Sequence, residues 1–215
     1  MATIPDEILC EILCPRAKAG GKSDVVSNFK TIFAISNQAA ASSNFPPPLG
    51  LKVFENVNAH PEEAGLFLFW RSMENHDCLS QTPGFKPAAK LFGEKIVPNL
   101  ETPLQPCYLW TRQGEVALRD ANFCEVIEVQ ISGSEDIEKL GESFPTALDK
   151  LNRSEGFRGY FYGPIFGDSS TYVIVVKWNS KADMDDNEGL QDVEKSILGV
   201  LGGRSSIVKR HQMYT

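Results

Sequence analysis

Only a few residues of this sequence are suited to proton transfer at neutral pH. The sequence contains three histidines, so a mechanism with an imidazole base must use His60, His76 or His211. His60 lies in the polar segment NAHPEE, which is typical of a surface hairpin, and His211 lies in the last predicted strand. His76 follows a predicted helix start beside an apolar strand. We therefore take His76 as the first candidate base and His211 as a candidate binding residue.

Two glutamates stand inside apolar runs, Glu11 in ILCEILC and Glu128 in CEVIEVQI. A buried carboxylate is costly unless it finds hydrogen-bond donors or takes up a proton. Strand alternation places Glu11 on the face of Leu9 and Leu13, and if the other face covers the helices, Glu11 points between two sheets. Glu11 is then either an interior polar pair or a general base, and we keep it as a candidate catalytic residue.

A third candidate cluster is the aromatic segment GFRGYFYGPIF at residues 156–166. In a strand, Arg158, Tyr160 and Tyr162 would alternate with Phe157 and Phe161. An arginine beside two phenols is able to hold an enolate or carboxylate by charge-assisted hydrogen bonds, while cross-strand packing is the alternative explanation. We keep Arg158 as a candidate catalytic residue and Tyr160 as a candidate binding residue.

Motifs for cofactors and metals are missing from the sequence. The run Gly20-Gly21-Lys22 lacks the rest of a phosphate-binding loop, and no GxGxxG, GxSxG or HExxH pattern occurs. The five cysteines form no CxxC pair and show no zinc-type spacing with histidine. We therefore expect no metal and no cofactor.

Composition narrows the class of partner. A net charge of -7 without a basic run argues against nucleic acid. The sequence has no stretch of about 18 apolar residues and no signal-peptide pattern at its start, which argues against a membrane span and against secretion. We expect a cytoplasmic protein with reduced thiols.

The two halves of the sequence repeat one pattern. Residues 66–76 (LFLFWRSMENH) and 174–184 (IVVKWNSKADM) each combine an apolar strand, a tryptophan and a serine, so that Trp70 aligns with Trp178 and Ser72 with Ser180. Either serine is placed to accept a hydrogen bond from the first turn of a following helix. The repeat also pairs the opening strands and predicts that Glu11 and Glu128 are equivalent.

Apolar periodicity around these anchors predicts the order strand, helix, strand, strand, helix, strand in each half. The halves are predicted at 1–112 and 123–215, with a polar linker at 113–122. Residues 39–50 (AAASSNFPPPLG) have no counterpart in the second half, and their prolines predict an extended insertion. The predicted fold is therefore α+β, with two ferredoxin-like units in tandem.

Within the first half, W-x-S-x-x-x-H at Trp70, Ser72 and His76, with Glu74 and a following Pro83-Gly84-Phe85, resembles the antibiotic-biosynthesis-monooxygenase-like group of the dimeric α+β barrel superfamily. The resemblance implies that two ferredoxin-like units of one chain pack sheet against sheet as a barrel. The second half departs from the pattern because Met184 replaces the histidine. We therefore expect the working pocket in the first half.

The resemblance implies a cofactor-independent enzyme that oxygenates, cyclises or isomerises a small aromatic or polyketide-like metabolite. Under this hypothesis His76 moves a proton and Arg158 or Arg71 stabilises negative charge. The pocket would be lined by four aromatic residues, Trp70, Tyr108, Trp110 and, in the second half, Trp178.

Three alternatives stay open at this point. A non-catalytic protein that binds a small hydrophobic molecule, or one that serves in a stress response, would use the same pocket. A haem protein with His76 or His211 as axial ligand is also compatible with the resemblance. An exposed sheet edge would further allow a homodimer.

Overall fold

The computed structural model describes residues 8–58, 60–111, 122–131, 146, 148–186, 191, 194–195, 199 and 205–215. The chain divides into two compact units, Met1–Tyr108 and Leu109–Thr215, called here the first and the second unit. Of the predicted linker at 113–122, Asn122 alone belongs to the described residues, so the predicted domain limits stay a prediction.

The first unit begins with a buried strand and a long helix, β1 (Ile8–Leu13) and α1 (Lys22–Ser42). The chain continues through β2 (Gly50–Phe54), a short β3 (Asn56–Val57), β4 (Gly65–Trp70), α2 (Met73–Ser80) and α3 (Lys86–Leu91). The next strand, β5 (Cys107–Thr111), begins in the first unit and ends in the second. Two 3₁₀ turns at Pro83–Phe85 and Val97–Asn99 and a π-helical turn at Phe92–Ile96 complete its helical layer.

The second unit repeats this order with β6 (Phe123–Ile131), β7 (Phe157–Ile165), β8 (Asp168–Trp178), α4 (Lys181–Asp185) and β9 (Ser205–Tyr214). A 3₁₀ turn at Asp149–Arg153 precedes β7. Most of the predicted helix at 135–152, and most of the one ending near residue 201, lie outside the described residues.

Both units have the same antiparallel strand arrangement. The sheet order is β2-β4-β1-β5 in the first unit and β7-β8-β6-β9 in the second, which in either case places the first and third main strands at the centre. The two central strands of the first unit, β1 and β4, are buried along their whole length. The α+β class and the tandem ferredoxin-like units are confirmed.

The predicted helix starts are also confirmed. Ser72 Oγ accepts a hydrogen bond from the Asn75 amide at 3.0 Å, and Ser180 Oγ accepts one from the Asp183 amide at 3.1 Å. These bonds satisfy amide groups that have no partner within the helix. The repeated serines therefore fix where α2 and α4 begin.

The prediction for residues 39–50 was wrong at its start, because α1 continues to Ser42. Ala39, Ala40 and Ala41 favour a helix, and the prolines that end it stand only at 46–48. Two of these alanines, Ala39 and Ala40, are buried. The segment after the helix is short and leads directly into β2.

Strand register corrects the prediction that Glu11 and Glu128 are equivalent positions. Leu9 lies opposite Trp70 in the first unit, and Phe123 lies opposite Trp178 in the second. Two residues further along each strand stand Glu11 and Glu125, so Glu125 and not Glu128 is the counterpart of Glu11. The opening strand of the second unit, β6, begins at Phe123, so that Glu125 is its third residue.

A β-bulge corrects the expected face of Arg158. Phe157 lies opposite Trp178 and Gly159 lies opposite Lys177, so Arg158 is an extra residue in β7. A bulge interrupts strict alternation. The side chains of Phe157, Tyr160 and Tyr162 consequently pack against the same core, whereas Arg158 is exposed.

Candidate functional site

A cavity of about 260 Å³ lies in the first unit between the sheet and the helical layer. Its walls are mostly apolar and come from α1, from the central strands and from the turns after α2, as with Leu13, Phe29, Ile32, Leu68, Phe85 and Phe92. Ligand sites for drug-sized molecules typically occupy ~300–1,000 Å³. The cavity is therefore suited to a small, largely apolar molecule.

Gly84 sets how closely the cavity wall approaches α1. A Cβ atom at this position would lie 3.1 Å from Cα and Cβ of Ala39, closer than ordinary packing allows. The absence of a side chain at Gly84 lets the 3₁₀ turn rest on the helix backbone. This contact places the neighbouring Phe85 in the cavity wall.

The polar end of the cavity is built around the carboxylate of Glu11. Oε2 of Glu11 accepts a hydrogen bond from Nε1 of Trp70 at 3.0 Å, and Oε1 accepts one from the hydroxyl of Tyr108 at 3.3 Å. Glu11 lines the cavity together with α1 residues, so its side of β1 faces the helices. The expectation that Glu11 points between two sheets was wrong, because it assumed that the other face of β1 covers the helices.

His76 reaches the same point from α2, one turn after the cap at Ser72. Its Nε2 lies 3.5 Å from the hydroxyl oxygen of Tyr108 and 4.0 Å from Oε2 of Glu11. The imidazole also meets the rings of Trp70 and Tyr108 edge to face, with centroids 4.9 and 5.4 Å apart. His76 is thus in contact with two aromatic rings.

Asp77 binds the other nitrogen of this imidazole. Nδ1 of His76 lies 2.8 Å from Oδ1 of Asp77, a distance at which an Nδ1–H donates to the carboxylate. A bond of this kind fixes the tautomer and leaves the Nε2 lone pair for a proton. Asp77 was not among the residues selected from the sequence, although the repetition of an aspartate at the same place, Asp185, was a usable signal.

Burial changes the acidity of Glu11 and Tyr108, the two polar groups nearest to Nε2 of His76. Removal from water raises the pKa of the Glu11 carboxyl, and the nearby His76 with the bonds from Trp70 and Tyr108 partly opposes this. Burial, together with the negative charge of Glu11, also raises the pKa of the Tyr108 hydroxyl. Tyr108 therefore stays protonated at neutral pH and remains able to donate a hydrogen bond.

The second unit contains the same carboxylate without the same chemistry. Trp178 donates from Nε1 to Oε2 of Glu125 at 3.2 Å, and Gln212 donates to Oε1 of Glu125 at 3.1 Å. Met184 stands where the first unit has His76, and its side chain is 1% exposed within the hydrophobic core. The glutamate and tryptophan are repeated, whereas the histidine and the tyrosine are not.

Five other candidates from the sequence are not among the residues that line the cavity. Arg71 is half-buried between β4 and α2, and Trp110 lies in the second unit, where it is half-buried in β5. In the same unit Tyr160 packs on the core, and burial together with the charge of Asp149 raises the pKa of its hydroxyl. His211 is buried on β9 opposite Val126. Arg158 is exposed, with its guanidinium donating to the carbonyl of Phe157. The structure thus groups Glu11, Trp70, His76 and Tyr108 within the first unit.

Within the described part of the chain, no helix combines the length and the apolar character needed to cross a membrane.

Comparison with known proteins gives matches at the level of structure. No protein-family model matches this sequence, and no curated protein sequence matches it either. Among solved structures, an anthrone oxidase-like protein superposes with a TM-score of 0.61 and 12% identity over 98% of this chain and 92% of that one.

Two further structures superpose over nearly the whole length. A candidate monooxygenase from Fusobacterium nucleatum matches with a TM-score of 0.62 and 10% identity, covering 100% of this chain and 93% of the other. Another, from Lactobacillus acidophilus, matches with a TM-score of 0.59 and 11% identity, covering 97% and 93%. At such low identity the likeness concerns the fold, and this chain shares the tandem α+β fold of these proteins.

Proposed function

We propose that the first unit is a cofactor-independent enzyme that removes a proton from a small aromatic or polyketide-like molecule. The resulting carbanion or enolate is then oxygenated, cyclised or isomerised. The observation that carries this proposal is the position of His76, whose Nε2 lies at the polar end of an apolar cavity while Nδ1 is bound by Asp77.

His76 acts as the general base in this proposal. With Nδ1–H donating its hydrogen bond to Asp77, the Nε2 lone pair is available to take a proton from the substrate. The imidazolium that forms lies 4.0 Å from Oε2 of Glu11, and opposite charges at this distance interact by about 4 kcal/mol at an effective dielectric constant of about 20. Glu11 and Asp77 thus stabilise the protonated base on both sides.

Tyr108 stabilises the product of proton removal. Tyr108 lines the cavity and its hydroxyl stays protonated, so in this proposal the hydroxyl turns from Glu11 to an enolate oxygen. When the Tyr108 hydroxyl turns away, the Glu11 carboxylate still accepts its hydrogen bond from Trp70. The base and the hydrogen-bond donor therefore act on one side of the substrate.

Anthrone is the first substrate to test, since one structural neighbour is an anthrone oxidase-like protein. Loss of a proton from its methylene carbon gives an enolate that transfers electrons to O₂. Anthrone and O₂ then yield anthraquinone and water, a balanced reaction that uses no further reductant. Cyclisation or isomerisation would start from the same kind of enolate.

The contrast between the units supports an enzyme over a non-catalytic binding protein. A binding site needs an apolar cavity with a few polar groups that orient the ligand. The Glu–Trp pair serves as such a polar group in both units, but the first unit adds a base, His76, and a donor, Tyr108. These two additions are what proton transfer requires.

The test measures anthraquinone formation and O₂ consumption with purified protein and anthrone. His76→Gln is expected to lower kcat by about 10²- to 10⁴-fold while anthrone binding is kept, as for loss of a general base. His60→Gln is the matched control and should be fully active. Full activity of His76→Gln would show that another group is the base. Binding of anthrone and related hydroxylated aromatics without any turnover would favour the non-catalytic alternative.

A further inference from the structure

A second apolar pocket of about 370 Å³ adjoins the cavity and is called here the outer groove. Phe92, Val97, Leu100, Thr102, Pro103 and Leu104 line it, with Glu101 among its polar groups. Phe92 and Leu104 also line the inner cavity, so the two spaces share a wall. Both residues are half-buried.

The helical layer is irregular where the groove forms. After α3 the chain makes a π-helical turn at Phe92–Ile96 and then a 3₁₀ turn at Val97–Asn99. Single π turns within helices are frequently found at functional sites. The change of helix type buries Ile96 and leaves the next side chain, Val97, 50% exposed.

The shared wall consists of side chains, and one of them is held in place. The ring of Phe92 packs edge to face against Phe29 with centroids 6.2 Å apart, and Phe29 itself lines the inner cavity. Leu104 belongs to the irregular segment before β5. Phe92 and Leu104 therefore separate the groove from the cavity, and a substrate that occupies both spaces would have to displace one of these side chains.

The chemistry of the two spaces differs. Glu11, His76 and Tyr108 all line the inner cavity and are absent from the lining of the outer groove. The groove is thus suited to binding a part of the substrate that does not react. Such remote contacts add affinity and hold the reacting part in position.

We propose that the outer groove is a second subsite, which binds an apolar alkyl or aryl arm of a substrate whose acidic ring lies in the inner cavity. This assignment rests on the proposed function for the identity of the reacting part. It names the substrate class as aromatic molecules with an uncharged hydrophobic substituent. The apolar lining of the groove disfavours arms that end in a charged group.

The test compares the affinities for 2-naphthol and 6-hexyl-2-naphthol. Both are measured by the quenching of tryptophan fluorescence. Each methylene group that becomes buried should tighten binding by about 4-fold. Val97→Glu should weaken the binding of 6-hexyl-2-naphthol by at least about 10-fold, because it places a charge in the apolar subsite. The same change should leave the affinity for 2-naphthol unaltered. Phe166→Glu is the matched control, because Phe166 is 51% exposed and lies in the second unit.

Several outcomes would overturn the proposal. Equal affinity for the two naphthols, or an equal loss of both in Val97→Glu, would show that no arm reaches the groove. A change in self-association with unchanged affinities would instead make the groove an interface between copies of the chain. If neither naphthol binds, the subsite is also refuted. Because the test measures binding alone, a failure leaves the proposed proton transfer intact, and a lack of turnover leaves the subsite intact.

Discussion

Glu11 and its counterpart Glu125 are buried carboxylates that each accept a bond from a tryptophan in the neighbouring strand. Glu125 is 0% exposed, and Gln212 is its second donor. Because the Glu–Trp pair is present in both units, it belongs to the common architecture. His76 and Tyr108 are the side chains beside this pair that the first unit has and the second lacks, and the proposed chemistry depends on them.

Asp77 is a positioning residue in the proposed reaction, and its removal tests that role. Asp77→Asn should lower kcat for anthrone oxidation on the order of tenfold with little change in KM, because the imidazole loses its orienting acceptor and the imidazolium loses a charge partner. Asp77→Glu should recover part of the activity. The measurement is steady-state kinetics on folded protein.

The second unit offers a matched control for this change. Asp185 has the same place relative to its serine cap, but it pairs with Lys181. Asp185→Asn should leave kcat unchanged. Equal losses in Asp77→Asn and Asp185→Asn would contradict a role specific to the histidine.

The raised pKa of Glu11 makes stability depend on pH. Because burial raises this pKa above its ordinary value of 4.5, the folded state holds the proton more tightly than the unfolded state does. The contribution to stability is complete below pH 4.5 and is lost as pH rises through the raised pKa. Glu11→Gln has no proton to lose and should escape this loss.

The measurement is the free energy of unfolding in urea at a series of pH values from 4 upward. The wild type should become less stable relative to Glu11→Gln as pH increases. Glu74→Gln, an exposed site on α2, should follow the wild type. A constant difference between wild type and Glu11→Gln across this range would contradict the assigned burial effect.

Among the elements, α2 and α4 are equivalent helices with equivalent caps, but only α2 carries a candidate base. Ser72→Ala and Ser180→Ala should each cost about 1 kcal/mol of unfolding free energy. Ser72→Ala should also lower anthrone oxidation, since the first turn of α2 positions His76. Urea unfolding and kcat, measured on both variants, check this.

An equal effect of the two serine variants on activity would contradict the link between the α2 cap and the site. A stability loss confined to one variant would contradict the equivalence of the caps. The pair separates structural from functional effects because both serines make the same backbone bond.

For the whole molecule, the difference between the two units predicts a single ligand site per chain. Met184 fills the position of the base in the second unit and packs in its core. Isothermal titration with 2-naphthol should therefore give one equivalent bound per chain. Glu125→Gln should leave this ratio unchanged, whereas two equivalents in the wild type would show a working pocket in the second unit.

The sequence by itself determined the class of fold, the repeat and the helix starts. These features depend on local patterns: apolar alternation in strands, a serine before each helix, and a tryptophan that marks the same strand twice. The choice of His76 as the candidate base also came from the sequence, because Met184 breaks the repeat at that position. Local patterns suffice wherever the physical cause lies within a few residues.

Only the tertiary structure decided which residues meet. The equivalence of Glu11 and Glu125 follows from strand register, and the exposure of Arg158 follows from a bulge. Neither register nor a bulge can be read from local periodicity. The face of β1 that meets the helices depends on packing between layers. Asp77, Phe92 and Leu104 acquire their proposed roles from neighbours supplied by that packing. A contact between distant segments is set by the sheet as a whole, because register and layer packing minimise the free energy of the entire unit.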